Sequence, residues 1–490
     1  MNNSDAYEKC LESMYGLHRF GIKLGLENMQ AIKRRLPLLQ QRLPCIHVAG
    51  TNGKGSVSIM LAEILRHSGL RVGLYTSPHL HCFTERIRID GKPVSRDEVA
   101  LLAEQVRVAA DGVPVTFFEA VTAMALLAFQ EHRVDIAVIE TGLGGRLDAT
   151  NIIEPQLCMV TPISRDHCEH LGETLAEIAA EKSGILKPGV PVVVGRQSPE
   201  ALEVVLAAAS ALDARVCLAG QDYFWEGDHG DLSVVVGSAC IKGLSCSLTG
   251  RHQLDNYAEA IAAAVTLRDQ GLQISDVAIR EAGRTVVCPG RLEWWACRQK
   301  VLSDVSHNRA GIGCLADYLD DLQVTKLHLV TGLSGERAPE EVMLPLENLV
   351  ASVYAVPVCY GPGVPTARIA AWAAGVALPC TEYLSAEEGL AAAVAACRDE
   401  APVVICGSLY LVAELSKKSK AGDLPFIHRG QTADMMTETG VAMRSLSFGI
   451  ALCALLVISL AMCAMVSRPA EANDELLRVA DEENSAAVEP

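Results

Sequence analysis

No two cysteines of this chain stand two residues apart, although 17 are scattered between Cys10 and Cys463. That spacing fits neither a zinc ribbon nor a secreted disulfide framework, so reduced thiols packed as small hydrophobes are expected. Positive charge is also short: 42 Lys and Arg face 59 Asp and Glu, a formal net charge of −17. Such a field repels phosphate backbones, and no nucleic-acid partner is expected. Gly (39) and Pro (21) are too few in 490 residues for a low-complexity chain. The first twelve residues are polar and charged, so no secretory leader is expected there. What remains is half hydrophobic and a fifth charged, enough apolar side chain for packed cores and, at roughly 150 residues per domain, for two large domains or three ordinary ones.

From residue 45 to about 192, short apolar runs alternate with polar Gly-rich turns and helix-period segments, the pattern of an α/β domain with a largely parallel sheet. A strand is predicted at 45–49. The helix after it carries Val57, Met60, Leu61, Ile64 and Leu65 on one face and stops at Gly69. Capping-box spacing in Ser95/Glu98 and Thr174/Glu177 predicts two more helix starts. Further strands are predicted at 134–139 and 157–163, then a small β excursion around 232–236 and an Ala-rich helix near 256–268. Pro289-Gly290 punctuates the chain, after which βα alternation resumes with runs at 300–302, 327–331, 354–358 and 403–406. The expected organisation is residues 1–288, a smaller α/β domain at 289–422, and a tail at 423–490.

Within the tail, residues 445–467 contain no charge. As a helix these 23 residues would rise about 34 Å, enough to cross hydrocarbon about 30 Å thick. Lys417, Lys418, Lys420, Arg429 and Arg444 precede the segment, and the chain after it is acidic apart from Arg468 and Arg478. Positive-inside logic keeps the large N-terminal part in the cytoplasm, held at the inner membrane by a C-terminal apolar helix. A buried soluble helix is the alternative, and Met443-Arg444 onward also resembles a secretory signal fused to a complete enzyme.

The strongest local signal is Gly50-Thr51-Asn52-Gly53-Lys54-Gly55-Ser56, placed between an apolar strand and an amphipathic helix. Glycines there let backbone N–H groups approach phosphate, Lys54 neutralises phosphate charge, and Ser56 offers a hydroxyl to magnesium. Gly55 intrudes between Lys54 and Ser56, so the spacing departs from the ordinary P-loop. Glu140 ends a strand and opens a second Gly-rich loop at 141–151, a suitable place for an acidic metal partner. His167 and Lys182 are, taken singly, an ordinary turn histidine and a solvated helix cation. A lysine amine becomes useful beside a metal only after losing its charge, for example as a carbamate with two oxygen donors. Arg291 and the run Asp304-Val305-Ser306-His307-Asn308 lie where strand ends of an open sheet gather polar groups; a linker arginine and a helix cap at Asn308 are the plainer readings.

These motifs occur in a familiar order: HVAGTNGKGS at 47–56, YTSPHL at 75–80, ERIRI at 85–89, TFFE at 116–119, ETGLGGRLDATN at 140–151, EKSG at 181–184, PGRL at 289–292, DVSHN at 304–308 and GSLYLV at 407–412. Over residues 5–420 the chain resembles bacterial folylpolyglutamate synthases, often bifunctional with dihydrofolate synthase, in the Mur ligase superfamily. The resemblance implies a P-loop ATPase domain with a mostly parallel sheet and a smaller Rossmann-like C-terminal domain. It implies an ATP-dependent ligase, with a monomeric catalytic unit, that adds L-glutamate to dihydropteroate or to reduced folates through an acyl phosphate. By the same resemblance, Gly50, Thr51, Asn52, Gly53, Lys54, Gly55 and Ser56 hold the ATP phosphates, and Asn256, Arg291 and Asp304 surround the nucleotide. Ser56 and Glu140 take one Mg2+, and His167 with carbamylated Lys182 places a second; K+ is a further candidate ion. Lys54, His167 and Lys182 form the catalytic set. Thr116, Phe118, Asp148 and Ala149 match pterin positions, and His307 and Ser408 match positions for incoming glutamate. The chain departs from its relatives at Arg165, where an aliphatic or small residue is usual, and at Ser334-Gly335-Glu336-Arg337. A folylpolyglutamate synthase without dihydropteroate activity, and a membrane-attached nucleotide-binding scaffold without turnover, are the two alternatives.

Overall fold

The computed structural model describes residues 3–17, 25–297, 300–359, 361–397 and 401–427. All of these except 296–297 pack as one compact unit.

Apolar runs bounded by Gly and Pro turns form a sheet whose strands, in chain order, are β1 (Cys45–Ala49), β2 (Val72–Tyr75), β3 (Ile87–Ile89), β4 (Lys92–Pro93), β5 (Ile136–Glu140), β6 (Leu157–Val160), β7 (Val192–Val194) and β8 (Val216–Leu218). Their spatial order is β4-β3-β2-β5-β1-β6-β7-β8. The six strands β2-β5-β1-β6-β7-β8 are parallel, and the β2–β3 and β3–β4 pairings at one edge are antiparallel. Every residue of β1 and β5 is buried, as expected of central parallel strands covered on both faces. Register pairs Val48 with Glu140 and Ala49 with Val160. The loops that leave β1, β5 and β6 therefore emerge side by side at the carboxyl edge of the sheet.

One face is covered by helices Lys54–His67, Arg251–Asp269 and Asp276–Thr285 and by a small antiparallel sheet of β9 (Tyr223–Gly227), β10 (Leu232–Val236) and β11 (Ala239–Leu244). The predicted apolar stripe Val57, Met60, Leu61, Ile64 and Leu65 is wholly inside this layer, packed with Ile261 and Val265. Each such side chain contributes about 1.5–3 kcal/mol by leaving water. The other face is covered by helices Asn3–Gly16, Arg96–Ala109 and Phe117–Glu131, with Met124 and Phe129 against Tyr75 and Ile87. Thr116 and Thr174 close full capping boxes with Glu119 and Glu177, and Ser95 caps its helix through the Glu98 N–H.

A second α/β sheet follows: β12 (Glu293–Trp294), β13 (Val301–Ser303), β14 (Leu327–Thr331), β15 (Val350–Ala355), β16 (Cys380–Glu382) and β17 (Val403–Cys406), ordered β12-β13-β17-β14-β15-β16. Only β12 is antiparallel.

Several boundaries differ from the sequence expectation. The strand predicted at 354–358 lies at Val350–Ala355, because pairing of Leu327 with Val350 fixes its start and Pro357 has no N–H to extend the ladder. The strand predicted at 157–163 stops at Val160 before Pro162, and that predicted at 134–139 starts at Ile136 and includes Glu140. The Ala-rich helix begins at Arg251, ahead of the polar stretch His252–Asn256. Among the described residues no helix is long and apolar enough to cross a membrane; the segment 445–467 lies outside them.

Candidate active site

The loop after β1 is built around glycines where any side chain would be strained. Gly50 has φ 146°, and a Cβ there would collide with the Thr161 hydroxyl; Gly53 has φ 86°, and a Cβ would stand 2.6 Å from Asn256 Oδ1. Gly53 caps the helix Lys54–His67, so the first-turn N–H groups of Lys54, Gly55 and Ser56 open onto the site with the positive end of the helix. Thr51 and Asn52 serve the loop itself: both backbone N–H groups donate to Pro162 O (3.0 and 3.2 Å), and Thr51 Oγ1 exchanges hydrogen bonds with Ser164. Lys54 Nζ donates to Gly50 O and Thr51 O, each at 3.1 Å.

Glu140, at the end of β5, is buried, and its Oε2 accepts from the Ser77 N–H at 3.1 Å. A Cβ on Gly55 would lie 3.6 Å from the same oxygen, which places the carboxylate against the phosphate loop beside buried Ser56. Burial raises its pKa, opposed chiefly by the charge of Lys54. Lys182 reaches the loop from the helix Leu175–Ser183 and donates to Gly50 O at 2.7 Å. It is only 5% exposed, and burial first, then repulsion from Lys54, lowers its pKa to about 7. It is therefore a buried amine that sheds its proton easily, which the sequence did not show. His167 has φ 53° and precedes the short helix Cys168–Leu171. Its ring faces Glu169, Nδ1 to Oε1 3.7 Å.

The loop after β5 folds on Asp148. Its Oδ2 accepts from Gly142 N (2.9 Å) and Leu143 N (2.8 Å), and its Oδ1 from Thr150 N (3.0 Å) and Thr150 Oγ1. Thr150 in turn meets fully buried His47 Nε2 at 2.7 Å. Phe118 closes over Gly142, where no Cβ fits, with its ring centroid 6.1 Å from that of Tyr75. Thr116 uses its hydroxyl as a helix cap, accepting from Glu119 N at 3.2 Å, and Ala149 is buried in the apolar layer under the sheet. Arg86 lies in the ERIRI stretch, where no sequence signal marks it. It is 8% exposed, donates Nε to His79 Nδ1 at 2.8 Å and lies 5.4 Å from the Phe117 ring centroid. No carboxylate among the described residues forms an ion pair with this cation; its burial is the signal, and the sequence carries none.

The second sheet brings its own polar edge. Asp304 shapes the turn after β13 by accepting from Leu292 N and Ser306 N, both at 2.9 Å. Asn256 donates to Gln253 at 3.0 Å beneath Gly53, and the charge of Arg291 reaches both Glu140 and His252. Asn52 and Asn308 exchange side-chain amide hydrogen bonds at 3.2 and 3.0 Å across the two sheets. Asp166 lies at this junction: it accepts from Arg337 Nη2 (2.8 Å) and Asn308 Nδ2 (3.0 Å), with His307 Nε2 3.4 Å away. Burial would raise its pKa, but His307, His167 and Arg337 hold the carboxyl well below the usual range. Ser408 is buried and its hydroxyl is 2.7 Å from that of Ser334. Among the described residues no three His, Cys, Asp or Glu side chains form a ready-made metal cluster. A hydroxyl, one carboxylate and phosphate oxygens are nonetheless a set that suits magnesium, which keeps few protein ligands.

A phosphate loop, an acidic strand end and a buried lysine on this frame define a nucleotide-dependent enzyme of the Mur ligase type, and the Mur ligase middle domain pattern matches residues 48–264. The dihydrofolate synthase/folylpolyglutamate synthase of Bacillus subtilis is 36% identical over 327 residues, 64% of this chain and 76% of the relative. The structure of E. coli FolC in complex with DHPP and ADP superposes with TM-score 0.78 at 28% identity, covering 84% of this chain and 98% of that one. The bifunctional enzyme from Yersinia pestis, complexed with AMPPNP and Mn ion, gives TM-score 0.77 at 29% identity, with the same coverage of both chains. The chain belongs to the dihydrofolate synthase/folylpolyglutamate synthase family of ATP-dependent ligases.

Proposed function

We propose that this chain uses ATP to join the amino group of L-glutamate to the carboxylate of dihydropteroate and, in a second activity, of reduced folates. The observation that carries the reading is the convergence of Lys54, Lys182 and Glu140 on the Gly50–Ser56 loop, with the half-buried Phe118 ring packed on buried Tyr75 and over Gly142. A carboxylate is a poor acyl donor, whereas its mixed anhydride with phosphate is activated. The acceptor carboxylate oxygen forms a bond to the γ-phosphorus as the bond to ADP breaks; the glutamate amine then attacks the acyl carbon, and inorganic phosphate leaves with the acceptor's oxygen.

Two anions must meet, and cations make that tolerable. Lys54, now on loop carbonyls, and the first-turn N–H groups of Lys54, Gly55 and Ser56 take the phosphates. Arg86 supplies a buried guanidinium for the acceptor carboxylate. The flat pterin stacks on Phe118, with Thr116, Asp148 and Ala149 shaping its pocket, Asp148 by ordering the loop N–H groups. Asn256, Arg291 and Asp304 line the nucleotide side, and His307 and Ser408 the glutamate side. Ser56 and Glu140 would hold one Mg2+, with His167 and carbamylated Lys182 for a second; bound there, the ions neutralise developing phosphate charge. The apolar segment 445–467 is proposed as a membrane attachment for a catalytic region on the cytoplasmic side.

The test is isotopic. With an acceptor labelled with heavy oxygen at its carboxylate, one label should appear in released phosphate, and unlabelled phosphate overturns the mechanism. Supplying dihydropteroate and a reduced folate separately decides bifunctionality: no dihydrofolate from the first leaves a folylpolyglutamate synthase. ATP binding without turnover dependent on acceptor and glutamate would leave a scaffold.

A further inference from the structure

Asp166 belongs to no expected ligand set, yet its carboxylate gathers side chains from the second sheet's loops. Its side chain is 9% exposed and receives three groups from the second sheet's loops: Arg337, Asn308 and His307. Each continues to something functional. Arg337 also donates Nη1 to Ser334 O at 2.8 Å, and Ser334 Oγ meets Ser408 Oγ at 2.7 Å. His307 is held at its other nitrogen by Val305 O, 2.9 Å from Nδ1. Asn308 shares its amide nitrogen between Asp166 and Asn52 of the phosphate loop while its Oδ1 caps the helix Arg309–Asp321.

Resting on the reading above, we propose that Asp166 is the positioning residue that registers the glutamate-binding edge against the phosphate loop. Both residues expected around incoming glutamate, His307 directly and Ser408 through Arg337 and Ser334, take their places from this one carboxylate. The amine must approach the acyl carbon from that edge, and a shift of about 1 Å in an attacking group is enough to slow such a step severely. A planar guanidinium and a carboxylate fix direction as well as distance. The departure at Ser334-Gly335-Glu336-Arg337 thereby acquires a use, since the turn lets Arg337 span Ser334 O and Asp166.

The experiment is a double-substitution cycle on the full chain, with Asp166→Asn, Arg337→Gln and the pair, assayed for each substrate in turn. Each single variant should raise the KM for glutamate at least about tenfold, while the KM values for ATP and acceptor stay within about twofold. The double variant should be no worse than the poorer single one, because both remove the same link. The proposal is overturned if Asp166→Asn keeps a wild-type KM for glutamate, if its loss falls on kcat alone, as action through neighbouring His167 would give, or if the two losses multiply. If Asp166→Asn does not fold, Arg337→Gln and Ser334→Ala decide by the same KM criterion, a wild-type glutamate KM in both overturning the proposal. A wild-type chain that ligates no glutamate refutes the functional reading; an active wild type with unmoved variants refutes only the role of Asp166.

Discussion

Lys182 and Glu259 show how burial makes ordinary side chains chemically unusual. With its pKa lowered to about 7, Lys182 holds a substantial neutral fraction at physiological pH, the form that adds carbon dioxide. Lys182→Ala should lower the ligation rate by about two to three orders of magnitude, with short carboxylic acids restoring part of it. Initial rates with and without such acids check this, and undiminished ligation would refute the carbamate. Glu259 lies in the helix Arg251–Asp269, 2% exposed, with Oε1 lacking a partner among the described residues and its pKa raised by burial from 4.5 to about 8. Its folded-state value lies above its unfolded one, so the folded chain holds the extra proton between these limits. Stability therefore declines as pH rises from about 4.5 towards 8, by up to about 1.4 kcal/mol per unit. Glu259→Gln should flatten that decline, read as thermal midpoints from pH 5 to 8; an unchanged slope would count against it. At this scale the phosphate loop was legible because its parts adjoin in sequence. Asp166 was not, because Asn308 and Arg337 stand 142 and 171 residues away.

Elements were legible where local chemistry sets them. The caps at Ser95 and Thr174 and the strands Cys45–Ala49, Leu232–Val236, Leu327–Thr331 and Val403–Cys406 lie where turn residues and apolar runs put them. Other ends moved when ladder pairing or a proline overrode the apolar run, as at Val350–Ala355 and Leu157–Val160. The start of the helix Lys54–His67 depends on Gly53 at φ 86°. Gly53→Ala would bear about 1–2 kcal/mol of left-handed strain and press on Asn256 Oδ1, 2.6 Å away. Affinity for a non-hydrolysable ATP analogue should fall at least about tenfold, measurable by calorimetry, with the thermal midpoint lowered by a few degrees.

Across the whole molecule, two α/β sheets meet where Asn52, Asp166, Asn308 and Arg337 interlock. Every side chain of the proposed site precedes residue 422. Removing residues 428–490 should therefore leave kcat within about twofold of the full chain and shift the enzyme from the membrane fraction to the soluble one. Sedimentation of cell extracts with parallel ligation assays tests both; loss of activity on truncation would show that the tail supports the catalytic region.

The order of motifs and the alternation of apolar runs with Gly-rich turns were enough to set the α/β class and the ligase family. These are properties of neighbouring residues, whose spacing fixes backbone geometry whatever lies further along the chain. Only the tertiary structure decided that Lys182 is buried against the loop, that Arg86 is a buried cation with no carboxylate ion pair among the described residues, that Asp148 is spent on its own loop and that Asp166 joins the two sheets. Desolvation and long-range hydrogen bonding exist only once distant segments have packed together.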